Sequence, residues 1–308
     1  MAIVFVFLDG FGLGAADERN PLWAYPAPFL RRLLGGPLAG RLNVAEPRLL
    51  ARGIDATLGV AGAPQSATGQ TALFTGVNAP ALVGEHLPAF PNGQLKEIIA
   101  EYSILKRAAE HGRRATFANA YGALYWETVA RRRLPHSAST LTNLAAGLPF
   151  RTFDDLAAGR AVYWDITHST LPLRLGREAA RPYSYRRPED AGRVLAGLAR
   201  QHDLVLYECF LPDMVGHQRL PHTPRWTVYV LDRFLEGLIG ALGSNDSLVL
   251  SSDHGNFEDS SEHLHTRNPV PLLVVGPAAP RFAGAARITD VTPTILAFLD
   301  DAEASNPC

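Results

Sequence analysis

Four short, β-rich runs, almost free of polar residues, constrain this chain more than any other feature. They are Ala2 to Leu8, Asp203 to Tyr207 (DLVLY), Ser247 to Leu250 (SLVL) and Val270 to Val275 (VPLLVV). A run that is apolar at successive positions, rather than at alternate ones, suits a strand covered on both faces. Helical patterns lie between the runs, as at Pro188 to Gln201 and Thr227 to Leu242. Strands alternating with helices predict an α/β fold, a three-layer α/β/α sandwich around a mostly parallel central sheet. The strand ends then become the places to look, because open α/β sheets bind ligands beyond the carboxyl ends of their strands. The first run ends at Asp9-Gly10, and the third leads into Ser251-Ser252-Asp253-His254-Gly255-Asn256.

The chain of 308 residues has room for such a core and an insertion. Residues 86–187 are rich in Pro, Arg and aromatics and alternate less clearly, so they are expected to form an inserted α+β cap domain. The core is expected to be discontinuous, over 1–85 and 188–308. Within the insertion the patterns predict a helix over Gln94 to Gly112, strands near Ala115 to Ala118 and Ala161 to Asp165, and a helix around Leu141 to Ala146. Apolar residues at 47% and charged residues at 19% argue against disorder. A formal net charge of -1 offers no basic face for a nucleic acid. The two cysteines, Cys209 and Cys308, form neither a disulfide framework nor a CxxC metal site. The opening MAIVFVFLDGFG lacks a basic n-region and a small-residue cleavage site, so it reads as a buried strand. No apolar stretch approaches the roughly 20 residues that span a bilayer. A soluble cytoplasmic protein acting on a small molecule is the expectation.

The chemistry-bearing residues cluster at these strand ends. Asp213 and His217, four apart, share one face of a helical turn; alone, such a pair is more often surface polarity. Asp253 and His254 follow a strand, and Gly255 supplies the turn that lets adjacent side chains reach one edge. His265 precedes Asn268-Pro269 and the fourth run, and Asp9 ends the first. Three Asp and three His without a thiolate suit Mn²⁺ or Zn²⁺. Six such ligands exceed one closed site but suit two ions about 3.5–4 Å apart, clamping both oxygens of an in-line displacement. A nucleophile is available in the small-residue loop Gly62 to Gln70, which runs into an apolar helix. Ser66 is the first choice and Thr68 the second; taken singly, each also reads as a helix cap.

The segments LDGFG, QSATGQ, DMVGH, SSDHGN and HTRNPVP stand in the order found in cofactor-independent phosphoglycerate mutases and phosphopentomutases, members of the alkaline phosphatase superfamily. Thr289 to Leu296 (TDVTPTIL) resembles the closing motif of that family. The resemblance covers roughly residues 1–80 and 190–300. It implies that Asp9, Ser66, Asp253 and His254 surround one metal and that Asp213, His217 and His265 hold the other. Ser66 then occupies the position of the phosphorylated nucleophile, and His265 rather than His263 is the ligand. Phe90-Pro91-Asn92-Gly93 and Ala118-Asn119 are faintly similar to a phosphopentomutase cap. Gln70 stands where the mutases usually carry His, and the C-terminal half of the core has no Lys where the glycerate mutases use one; Arg219 or Arg225 are the replacements. Substrate contacts are expected from Gln70, Asn119, Arg133, His136 and Arg219. Arg131, Arg132, Arg151 and His168 are further cap candidates, although an Arg run also reads as a solvated face. The implied activity is phosphoryl transfer from a phosphate ester through a phosphoserine, as a hydrolase. The alternatives are a phosphosugar mutase and a metal-binding protein without catalysis.

Overall fold

A computed structural model describes residues 1–131, 134–261 and 263–304. Its middle layer is a seven-stranded sheet. The strands are β1 (Ile3–Leu8), β2 (Asn43–Glu46), β3 (Leu49–Ile54), β4 (Ala115–Phe117), β5 (Leu204–Cys209), β6 (Ser247–Ser251) and β7 (Val270–Val275). Their spatial order is β2-β3-β7-β6-β1-β5-β4. β1 lies parallel to β5 and β6, and β4 lies parallel to β5. β7 runs antiparallel to both β6 and β3, and β2 antiparallel to β3. β1, β3, β4, β5 and β6 therefore point one way, which is the mostly parallel sheet the runs predict. The reversal of β7 has a consequence for chemistry: the residues leading into it share a rim with the residues leaving β1, β5 and β6.

The central strand shows why three layers form. Side chains of a strand alternate between its faces. Ile3, Phe5 and Phe7 enter one core with Leu73, Phe74, Ile99, Leu105 and Phe117. Val4, Val6 and Leu8 enter the other with Leu30, Leu195, Leu231, Phe234 and Leu238. Each large apolar side chain buried this way contributes about 1.5–3 kcal/mol. The first face is covered by α1 (Ser66–Thr75), α2 (Gly93–Tyr102) and α3 (Ala138–Ala145), the second by α4 (Pro188–Ala199) and α6 (Pro224–Ile239). The short α5 (Leu211–Gly216) follows β5 at the rim, and α7 (Val291–Ala304) joins the first face.

The span 86–187 is not a single separate packing unit. Leu95, Ile98, Ile99, Ile104, Leu105 and Phe117 belong to the first core, and β4 is an edge strand of the main sheet. A third, smaller core gathers Ala120, Leu156, Ala161, Tyr163, Trp164, Leu171 and Ala180, and packs on Phe210, Met214 and Leu220 beside α5. The helix expected over Gln94 to Gly112 breaks at Ser103, whose extended ψ of 141° separates α2 from a second helix at Ile104–Glu110. The strand expected over Ala161 to Asp165 is reduced to one bridge between Asn119 and Val162; Ala120–Tyr121 pairs with Arg151–Thr152 instead. Among the described residues no helix is long and apolar enough to cross a membrane.

Candidate metal centre

The rim of the sheet brings Asp9, Ser66, Asp213, His217, Asp253, His254 and His265 together. Asp9 follows β1, Asp213 and His217 lie on and just after α5, and Asp253-His254 follow β6. Ser66 opens α1. His265 precedes the reversed β7. Gly10 permits a close approach: its φ is +65°, and a Cβ there would stand 2.8 Å from the Asp213 side chain. The Asp213 amide in turn donates to the Asp9 carbonyl at 3.1 Å.

Three imidazoles are oriented alike. His217 Nδ1 donates to the His263 carbonyl at 2.8 Å, His265 Nδ1 to the Pro64 carbonyl at 3.0 Å, and His254 Nδ1 faces the Gly255 carbonyl at 3.3 Å. Each Nε2 is thereby turned inward, the arrangement that metal-ligating histidines adopt. His254 Nε2 lies 3.0 Å from Ser66 Oγ, 3.3 Å from Asp9 Oδ1 and 3.4 Å from Asp253 Oδ2. His217 Nε2 lies 3.1 Å from His265 Nε2 and 3.3 Å from Asp213 Oδ1, and His265 Nε2 is 3.7 Å from that same oxygen. The His254 and His265 rings stack at 3.7 Å.

This cluster is out of electrostatic balance by itself. Asp9 Oδ1, Asp213 Oδ1 and Asp253 Oδ2 are buried without a hydrogen-bond partner, a costly state for a carboxylate oxygen. Burial, then the Asp253 and Asp213 carboxylates, hold the Asp9 carboxyl well above its ordinary range. Burial opposes charge on His254, but Asp253 and Asp9 overcome it and push the imidazole up to about 10. Burial and the neighbouring His254 pull His265 down to about 4, so it stays neutral. Ligand atoms of Asp213, His217 and His265 lie within 4.8 Å of one another, as do those of Asp9, Asp213 and His254. Orphaned oxygens and inward imidazole nitrogens form a donor set suited to divalent cations.

The remaining expected residues separate. Thr68 is fully buried; its hydroxyl donates to the Gln65 carbonyl at 3.3 Å and accepts from the Leu87 amide at 3.2 Å, so it braces the loop over α1. The amides of Ala67 and Thr68 donate to the Leu87 carbonyl, which occupies the helix N-terminus beside Ser66. Gln70 is inside the cluster, donating to Asp9 Oδ2 at 3.4 Å. Asn119 spends its amide on the backbone of Glu208, donating to its carbonyl at 2.7 Å and accepting from its amide at 2.9 Å. His136 binds the Tyr125 hydroxyl at 2.9 Å. Arg151 serves structure: it donates to the Arg160 carbonyl and the Thr116 hydroxyl. Arg131 is exposed and pairs with Glu127 at 3.9 Å, and Arg219 is exposed. His168 is buried, with Nδ1 on the Ser184 carbonyl at 3.0 Å. Arg132 and Arg133 lie outside the described residues. Sequence reasoning missed Glu208, whose buried carboxyl accepts from the Ser139 hydroxyl at 2.6 Å. It also missed Glu258 and Asn256; the Asn256 amide reaches His217 Nε2 at 3.0 Å. Asn256 is the last residue of SSDHGN and Glu258 lies two beyond it, which was the available signal.

Residues 185–301 match the model of the Metalloenzyme superfamily. Over 119 residues the chain is 34% identical to a 2,3-bisphosphoglycerate-independent phosphoglycerate mutase of Thermomicrobium roseum, an alignment covering 34% of this chain and 23% of that protein. The mutase of Acetivibrio thermocellus is 30% identical over 108 residues, covering 32% and 21%. The chain thus spans less than a quarter of the length of these relatives. The cold-active alkaline phosphatase of a psychrophilic Shewanella superposes with a TM-score of 0.54 at 12% identity, covering 97% of this chain and 100% of that one. That likeness is one of fold. The fold is like that of the alkaline phosphatases, and residues 185–301 are similar to the Metalloenzyme superfamily. About a third of the chain is similar to phosphoglycerate mutases.

Proposed function

We propose that this protein is a two-metal-dependent phosphohydrolase that acts on small phosphate esters through a phosphoserine at Ser66. The observation that carries the reading is the common orientation of His217, His254 and His265. Each gives Nδ1 to a backbone carbonyl and turns Nε2 into a cluster of carboxylates, with the Ser66 hydroxyl 3.0 Å from one of them. Asp9, Ser66, Asp253 and His254 would hold one divalent ion and Asp213, His217 and His265 the other, Mn²⁺ or Zn²⁺. When bound, the pair supplies Lewis acidity at the phosphoryl oxygens and favours the alkoxide of Ser66.

The chain's own part is positioning and charge management. Ser66 Oγ forms a bond to phosphorus as the ester P–O bond breaks; its proton leaves to solvent, and the departing alcohol regains one. Water then attacks the phosphoserine, the P–Oγ bond breaks, and phosphate departs. Gln70 holds Asp9 from the side away from His254. We assign substrate selection and water exclusion to the smaller core, which packs on Phe210 and Met214 on either side of Asp213.

A second reading, a phosphomutase in which a substrate hydroxyl replaces water, is favoured by the similarity of about a third of the chain to phosphoglycerate mutases. One screen tests both. Phosphate monoesters, diesters and sulfate esters are offered with Mn²⁺ or Zn²⁺, and ribose 1-phosphate is followed for ribose 5-phosphate against free phosphate. Free phosphate as product supports the hydrolase, an isomeric phosphate the mutase. No turnover with either metal leaves a metal-binding protein and removes the enzyme reading.

A further inference from the structure

Glu258 is a carboxylate with 1% exposure, close to the metal centre but not part of it. Oε2 accepts from the Gly12 amide at 3.1 Å and the Asn256 amide at 2.7 Å. Oε1 accepts from the Thr266 hydroxyl and, at 3.0 Å, from the Asn268 side-chain amide. All four of these donors are neutral. They come from three segments: the turn leaving β1, the turn leaving β6, and the lead-in to β7. Gly12 is three residues past Asp9, Asn256 two past His254, and Thr266 is next to His265.

The surrounding backbone is cut to fit this carboxylate. A Cβ on Gly12 would lie 2.4 Å from the Glu258 carboxylate, and one on Gly255 2.2 Å from it. A Cβ on Gly14 would meet the Glu258 carbonyl oxygen at 2.7 Å. Any side chain at these positions would force the segments apart. A buried charge is tolerated only where its acceptor sites are filled in good geometry, so the four donors and the carboxylate fix one another's positions.

We propose that Glu258 is a positioning residue that ties these three segments together, so that Asp9, His254 and His265 meet at the separation a divalent ion requires. The proposal rests on the metal-centre reading above. Residues that orient metal ligands without touching the ion typically control affinity by about 10–100-fold.

The test is Glu258→Gln in the full chain, stripped of metal and titrated with Mn²⁺ and Zn²⁺ by calorimetry. Gln has the same shape but one acceptor oxygen, so its amide group must face two donors it cannot accept from. The expected result is affinity lowered by about 10–100-fold, with a raised half-saturating metal concentration and a kcat that returns at saturating metal. Wild-type affinity in a folded Glu258→Gln protein, even with a lowered melting temperature, overturns the proposal. Should that variant not fold, Asn268→Ala removes one donor and is read the same way: weaker ion binding supports the role and unchanged binding overturns it. A wild-type protein that binds neither ion overturns both readings, whereas normal affinity in the variants overturns this one alone.

Discussion

His217 and His265 meet Nε2 to Nε2 at 3.1 Å while each gives its other ring nitrogen to a backbone carbonyl. Both Nε2 atoms thus face inward, with the Asp213 carboxylate beside both. A divalent cation among these three side chains would be within reach of a ligand atom from each. Dialysis against a chelator is expected to lower the melting temperature, and Mn²⁺ or Zn²⁺ at a hundred times its Kd to restore about 2.7 kcal/mol of stability. His265→Ala is expected to weaken binding by roughly a hundredfold or more. Scanning calorimetry across a metal series checks this, and a melting temperature indifferent to metal would remove the case for a cation here.

Ser66 and Thr68 are two residues apart yet differently employed, the first facing His254 and the second bracing Leu87. Ser66→Ala is expected to cut turnover of an activated phosphate ester by roughly a thousandfold or more, while Asp9, Asp253 and His254 still bind an ion, more weakly than in the wild type. Thr68→Ala is expected to cost about 1 kcal/mol of stability and leave a measurable rate. Steady-state kinetics beside denaturant titration separates the two, and equal losses of rate would contradict the assignment.

Gly10 has a left-handed backbone and no room for a side chain against Asp213. Gly10→Ala is expected to cost about 1–3 kcal/mol and to push Asp9 and Asp213 apart. Urea unfolding and ion titration on the same sample should both shift. Unchanged ion affinity would mean that this contact does not set the spacing of the carboxylates.

Burial, partly offset by the Ser139 hydroxyl and reinforced by Asp253, pushes the Glu208 carboxyl up to about 8. A carboxyl raised above its unfolded value stabilises the fold fully below the unfolded pKa and loses that contribution as pH rises through the folded one. Glu208→Gln, which keeps the shape without the charge, is therefore expected to track the metal-free wild type near pH 4.5. It should exceed it progressively towards pH 8, by a few kcal/mol on the order that full burial allows. Melting temperatures of the two proteins against pH give the answer, and parallel curves would show that Glu208 carries no such burden.

The central strands, and Asp9, Asp253 and His254 where two of them stop, were legible because both signals are local, whereas Ser66, Asp213 and His217 stood out only through the ordered set of motifs. An apolar run marks a buried strand, and a polar residue where the run stops marks its functional end. β2 and β3 were not legible, since Arg52 and Gly53 interrupt LLARGI, whose place next to β7 depends on residues more than two hundred positions away. Glu208 was hidden for a related reason. A charged residue reads as the end of DLVLY, whereas β5 continues to Cys209 because Asn119 and Ser139, 89 and 69 positions distant, satisfy it. Arg151 illustrates the opposite error: a cation in a segment of unclear periodicity looked available for substrate, but its two terminal nitrogens donate to the Arg160 carbonyl and the Thr116 hydroxyl.

The candidate centre is assembled from five separated stretches of chain, the earliest at Asp9 and the last at His265. No excised peptide holds more than a fragment of it, so affinity for an ion belongs to the finished tertiary structure alone. Ion capture during refolding would then serve as a clock for the last step of assembly, and a single proteolytic nick that frees any one stretch would silence all the others.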